Sequence, residues 1–448
     1  MAENYVLLER IELASNVTNV TFSNIPQSGY TDLKIVASMR VTNSALYADI
    51  LIRPNGSSSS LSCKILYGNG AAVYSASIAD SYGATANGAT STSNTFSNVE
   101  WYFPNYTSST FKSFIADSVW ENNGGTASQV MGADLWSSTA AISSLQIDGS
   151  FVSGSTFSIY GLAAVGTAPT SQKANGGTQV YSDGTYWYHI FTSSGPFYVN
   201  QGITCDYLVV AGGGSGGGSS DAAGGGGAGG FRTTVGTSGG GASAESPISV
   251  ATGTYNILVG AGGAGLPGVA EADGNNGSNS VFSTITAIGG GGGAKPDGIG
   301  LDGGSGGGGG FHYVSTYAGG SGTANQGYAG GSGATGSNFY GGGGGGASAA
   351  GTNGSTGNPT GGAGLTNSIT GTSITYAGGG GGGKANAGSG AAGGSGVGGT
   401  GGTPNVKPTS GVINTGSGGG GARTDAGYNQ YAPTGSGGSG VVIIRYAV

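Results

Sequence analysis

The apolar positions of this chain keep one rhythm for some 160 residues and then lose it. From residue 5 they come in short alternating runs: "YVLLERIEL" (5–13), "VTNVTF" (17–22), "DLKIVASMRV" (32–41) and "YADILIR" (47–53), parted by turn clusters such as "IPQSGY" and "RPNGSSSS". "SCKILYG", "NVEWYFP", "STFKSFIADSV", "ISSLQID" and "STFSIYGLAA" continue the series. A period of two with no 3.6-residue period predicts strands that bury one face. The whole chain therefore reads as all-β. Residues 1–166 are expected to form a β-sandwich, jelly-roll-like because that form limits exposed edges, and to serve attachment or oligomerisation. A Pro, Ser, Gly and Asn stretch at 167–178 reads as a linker. Residues 179–448 read as a second domain, opened by strands within 183–210: "YWYHIF" and "PFYV", joined at Ser193–Gly195, then "CDYLVV".

After "YLVVAGGG" (207–214) alternation gives way to glycine. The chain of 448 residues holds 103 glycines, 85 of them between 211 and 440. They recur as discrete runs, among them 224–227, 289–293, 306–310, 341–346, 378–383 and 418–421. A flexible linker has no use for the apolar strands that punctuate these runs, "YNILVGAGG" (255–263) and "GGSGVVIIRY" (437–446). Val441, Val442, Ile443 and Ile444 would be an aggregation hazard if left exposed. They are expected to close the domain (strand 440–446) by pairing with 205–210 or 255–259, with Ile443 and Ile444 buried. Collagen is excluded, since there is no glycine-every-third register and little proline. A glycine run can instead adopt the threefold polyproline-II-type helix, whose N–H and C=O groups all point outward. Buried, each group needs a partner, and neighbouring helices of the same kind supply them. Only glycine lets backbones approach closely on every side. The expectation is a bundle of packed polyglycine-II helices capped by short strands.

Three stretches, "FTSSGPFYV" (191–199), "YLVVAGGGSGGG" (207–218) and "GGSGVVIIRY" (437–446), together make residues 183–448 resemble the glycine-rich domain of T-even-type bacteriophage tail-fibre adhesins and similar regions of marine phage virion proteins. The N-terminal sandwich also looks like modules of tailed-phage structural proteins, although the T-even adhesins carry a different fibre-attachment region. The resemblance implies a virion protein, a tail-fibre or adhesin component that binds a host cell-surface receptor (a glycan or an outer-membrane protein) through loops between glycine helices. The alternative is a non-catalytic head fibre or capsid decoration protein. Other virion proteins are expected partners, as is a homo-oligomer, with a trimer favoured. The loop segments "FHYVSTY", "SNFY" and "GYNQYAP" make Phe311, His312, Tyr313, Tyr317, Phe339, Tyr340, Tyr428 and Tyr431 the candidate receptor-contacting residues. Tyrosine and histidine offer flat apolar area plus a hydrogen-bonding group at low entropy cost. The competing reading is that these rings pack on the bundle or on a neighbouring subunit.

Charge and chemistry narrow the choice further. Only 7% of residues are charged and the net charge is −7. The thirteen Lys and Arg are scattered singly, which argues against nucleic acid as a partner. No apolar run reaches the length of a membrane span, so no membrane insertion is expected, and "MAENYVLLERIEL", with its four charged residues, is not expected to act as a signal peptide. The expected location is a virion, after synthesis in the host cytoplasm. Cys63 and Cys205 read as two buried free thiols. No enzyme, cofactor or metal is expected. His189 stands alone in a strand and reads as a packed or surface residue. Asp117, Asp134 and Asp148 stand alone near strand ends, with solvated or turn-capping roles as the default. Trp101, Trp120, Trp136, Tyr102 and Tyr106 could line a carbohydrate groove or pack in the core and between subunits. Gly378–Lys384 has the spacing of a phosphate-binding loop, but Ala385 stands where a magnesium-ligating hydroxyl belongs.

Overall fold

The computed structural model describes residues 5–81, 84–164, 172–218, 221–268, 271–336, 339–384, 389–404, 406–423 and 433–448. The fold is all-β; among the described residues the only helical segments are single 3-10 turns at 239–241, 354–356 and 394–396. The chain forms two compact units. One comprises the chain to Gln172 with 178–189 and 447–448, the other 173–177 with 190–446. Composition groups 179–189 with the glycine-rich part. The structure puts these residues in the first unit, because Gln179–Ser182 pairs antiparallel with Tyr5–Glu12 (Glu9 opposite Tyr181) and so covers that strand's edge.

In the first unit antiparallel strands follow the order Gln179–Ser182, Tyr5–Glu12, Thr156–Ala163, Tyr30–Met39, Ser97–Phe103, Lys112–Glu121, Ala127–Trp136, Leu61–Gly68, Val73–Ile78. A smaller sheet runs Val17–Phe22, Leu145–Phe151, Tyr47–Pro54, Ala84–Asn87. The period of two does what it must. Lys112–Glu121 alternates buried and exposed at every position, and its inward Phe114 and Ala116 join Phe22, Ile52, Ile147, Trp101 and Phe157 in one core. Trp101, Trp136 and Tyr106 belong to that core, and Trp120 is buried under a stack with Tyr47, ring centroids 4.7 Å apart. These four therefore pack, and Tyr102 instead donates its hydroxyl to Asp32. Asp134 corrects a default: it is 1% exposed, not solvated, because the alternation of Ala127–Trp136 turns it inward. Asp148 pairs with Arg53 at 3.2 Å, and Asp117 accepts a hydrogen bond from Gln129. Cys63 and Cys205 are buried free thiols, and burial pushes Cys205 up to about 12. His189 is buried.

The second unit has two kinds of interior. At one end Ile203–Val210 is flanked by Phe231–Thr233 and by Val441–Ala447, antiparallel, with Leu208 opposite Ile443 and Tyr207 opposite Ile444. Val441 through Ile444 are all 3% exposed or less, so both faces of this strand are covered. That is why it reads as an unbroken apolar run rather than an alternating one. One face packs on Ala228, Phe231, Ile369 and Tyr376.

Beyond these strands the interior is backbone. The run 212–218 donates its N–H groups to three neighbours in strict rotation. Gly212, Ser215 and Gly218 bond the carbonyls of Ser278, Asn275 and Ala272; Gly213 and Gly216 those of Gly438 and Gly435; Gly214 and Gly217 those of Gly227 and Gly224. The run 224–230 repeats the scheme with 294, 291 and 288, with 342 and 345, and with 419 and 416. One partner every third residue is the signature of helices with three residues per turn, so these are polyglycine-II helices. They run both parallel and antiparallel to one another. Their closeness excludes side chains: a Cβ on Gly226 would lie 2.1 Å from the carbonyl oxygen of Gly214.

Where the run 289–295 has no backbone partner on one side, side chains substitute. Asn279, Asn276 and Asp273 use their Oδ1 atoms to accept from the N–H groups of Gly289, Gly292 and Lys295 at 2.8, 2.8 and 2.9 Å. Their spacing of three matches the pitch of the helix they cap.

Candidate functional site

Glycine helices carry no functional groups, so chemistry can enter only where runs end. Hydrogen bonds bring several ends together away from the strands. Phe311 N–H donates to Ala222 carbonyl, His312 N–H to Ala334 and Ala334 N–H to Tyr340. Ala222 bridges to Arg423 and Tyr340 to Lys384. Five runs, bounded by residues 222, 311, 340, 384 and 423, thus stop side by side. Bulky side chains begin at these ends because the lattice itself has no room for them.

At this end lies an aromatic cluster. Phe311 packs on Phe339 (centroids 4.6 Å) and edge-on against Tyr313 (5.1 Å), and Tyr313 meets Phe339 at 5.4 Å and 90°. Phe311 and Tyr340 are buried, with Ala222 and Ala334, and form the floor. They support the patch rather than present it. Phe339 is half-buried, whereas Tyr313 is 57% exposed and Val314 83%. His312 holds the loop in shape: its Nδ1 accepts the N–H groups of Val314 and Ser315 at 3.2 and 2.8 Å. The neutral ring then carries its proton on Nε2, which faces Asp297 Oδ1 at 3.6 Å. Tyr317 stands edge-on to His312 at 5.3 Å. Tyr428 and Tyr431 lie outside the described residues. Six of the eight sequence candidates are therefore placed at this end, two as its floor.

Sequence reasoning missed Arg423 and Asp221. The Arg423 guanidinium lies 5.5 Å from the Phe339 ring centroid and pairs with Asp221 at 3.3 Å. Their signal was positional, since each is the first charged residue flanking a run of small ones. The patch thus offers an exposed Tyr313 ring and its hydroxyl over a floor braced by the Arg423–Asp221 pair, which suits recognition by contact.

A polar cleft of about 720 Å³ at the strand end contains Glu245. Burial alone would raise its pKa, but Arg232 Nε and Nη2 at 2.8 and 2.7 Å and Tyr207 Oη at 2.7 Å outweigh burial and hold the carboxyl below its ordinary range. A carboxylate saturated this way is a latch between Phe231–Thr233 and the following loop. Among the described residues no group of three or more His, Cys, Asp or Glu is placed to hold a metal ion.

No curated protein matches the chain. A family described as a glycine-rich domain matches residues 191–447, from the end of the strand Tyr186–Phe191 through the closing strand Val441–Ala447. Those limits enclose the backbone lattice and the strands that cap it, and the chain belongs to this glycine-rich domain family.

Proposed function

We propose that this chain is a bacteriophage virion protein, a tail-fibre or adhesin component. It binds a host cell-surface receptor through the run ends of the glycine bundle and works without catalysis. The reading rests on one observation above others: at the run ends bounded by residues 222, 311, 340, 384 and 423, aromatic and charged side chains gather into one cluster. Tyr313 and Val314 there are exposed, over a half-buried Phe339 and an Arg423 that pairs with Asp221, on a backbone scaffold that cannot easily rearrange. Such a scaffold tolerates sequence change in the loops while the runs stay fixed, as host-range variation requires. The first unit is then the attachment or oligomerisation module, with other virion proteins and further copies of the chain as partners.

The test is adsorption of the phage to its host after Tyr313→Ala and, separately, Phe339→Ala, with folding checked by thermal unfolding. Adsorption reduced severalfold with an intact fold supports the reading. Wild-type adsorption in both variants removes this end from consideration. Antibody labelling of virions discriminates the location: label on the head, not the tail, would make the chain a decoration protein.

A further inference from the structure

The first unit contains a second candidate site, independent of the loop-end reading. Trp187 is 3% exposed, and its Nε1–H has no hydrogen-bond partner among the described residues. A buried N–H left unpartnered is costly and rare, so a partner is wanted from outside. The indole borders a cleft of about 450 Å³, within the range of roughly 300–1,000 Å³ usual for small-ligand sites. Leu8, Ile25 and Pro26 give it an apolar wall and Tyr30 an aromatic one; Asn24, Gln27 and Ser28 border it with polar groups.

The rim is built and rigid. The Tyr106 hydroxyl donates to the Pro26 carbonyl. Gln27 Nε2 donates to the carbonyls of Ile25 and Ile142 at 2.9 and 3.0 Å. Asp183 Oδ1 accepts from the N–H groups of Thr185 and Tyr186 at 2.8 Å each, and its Oδ2 from the Tyr188 hydroxyl at 2.7 Å. The acidic side chain on the rim is thereby saturated, and among the described residues no Lys or Arg lines the cleft. The remaining polar side chains that line it, among them Trp187, Tyr30, Asn24, Gln27 and Ser28, are all uncharged. An apolar aromatic wall with neutral donors and acceptors excludes phosphates and carboxylates as preferred ligands and suits a sugar ring. One face of a pyranose is apolar and its edge carries hydroxyls.

We propose that this cleft binds one or two neutral pyranose residues, with a ligand oxygen accepting the Trp187 Nε1–H. The experiment uses the full chain with ¹⁵N-labelled indoles, titrated with glucose, galactose and N-acetylglucosamine. The Trp187 indole resonance should shift saturably with at least one of them, while those of Trp101, Trp120 and Trp136 stay in place. Trp187→Phe keeps a ring and removes the donor; it should weaken the affinity measured by calorimetry about tenfold. Tyr30→Phe keeps its ring against Gly161 and should weaken the same titration severalfold, which covers the case in which Trp187→Phe does not fold. No shift with any of the three sugars means that the N–H is met by water alone, and the proposal falls. Unchanged affinity in a folded Trp187→Phe, or in Tyr30→Phe, overturns it equally.

Discussion

Replacing Gly380 by alanine adds one carbon atom to the middle of the backbone lattice. That Cβ would lie 2.0 Å from the Gly419 carbonyl oxygen and 2.6 Å from its carbon, where ordinary contact begins near 3.4 Å. The run 378–383 must therefore withdraw from 418–421 by about 1.4 Å. The same pair of runs is joined by Gly418 N–H to Gly378 carbonyl at 2.9 Å and Gly421 N–H to Gly381 at 3.0 Å. Lengthened by that amount, both bonds are lost among buried residues. At ~1–3 kcal/mol for each buried group left unmade, the cost is roughly 2–6 kcal/mol. For a unit of this size a destabilisation of 1 kcal/mol lowers Tm by about 2–4 °C, so a fall of about 5–20 °C is expected. The matched control is Gly195→Ala, in a strand of the same unit, where an added Cβ meets nothing within 4 Å; it should change stability by no more than about 0.5 kcal/mol. Scanning calorimetry of both variants and the parent decides. If Gly380→Ala melts with Gly195→Ala, the glycines are not there for close approach, and the account of the fold fails.

Ile443→Asp with Ile444→Asp puts two carboxylates into fully covered positions opposite Leu208 and Tyr207; a loss of several kcal/mol is expected, read as rapid proteolysis of the glycine-rich unit, and parental resistance would contradict it. Asn276→Ala removes the acceptor of the buried Gly292 N–H and should cost about 1–2 kcal/mol in thermal unfolding, whereas Asn276→Asp, which keeps an acceptor, should restore most of it. Burial raises the Glu9 carboxyl from 4.5 to about 7, against the opposing hydrogen bond from Gln179. Between those values the folded chain keeps a proton that the unfolded chain releases, so stability should fall as pH rises from 4.5 to 7, by on the order of 3 kcal/mol, and level off above. Urea midpoints across that window should show the slope in the parent and its loss in Glu9→Gln; a parent profile without slope refutes it.

Much of this architecture is written locally. Alternation in segments such as Lys112–Glu121 specifies strand and inward face together, because a period of two allows only one buried set. The unbroken "VVIIRY" announces a strand covered on both sides. The glycine runs announce a packed backbone, because no other residue permits it. Alanine, the smallest addition, sits mostly where runs end, as at Ala211, Ala294, Ala347, Ala377 and Ala422.

Tertiary structure decided what lies next to what. A glycine run has no side chain to name its neighbours, so nothing in "GGGGGG" (341–346) says that it lies against 306–309, 349–352 and 377–383. Side chains mark the edge of the lattice only in places, as the Asp273, Asn276 and Asn279 ladder does along 289–295. The same holds for the candidate sites. The aromatic segments around 311–317 and 339–340 were visible as loops. That Arg423 reaches Phe339, that Phe311 lies beneath Tyr313, and that Trp187 faces a cleft closed by residues 24–30 depend on contacts between segments up to some 160 residues apart. Periodicity reports which way a residue points relative to its own strand or run; only the packed chain reports what it points at.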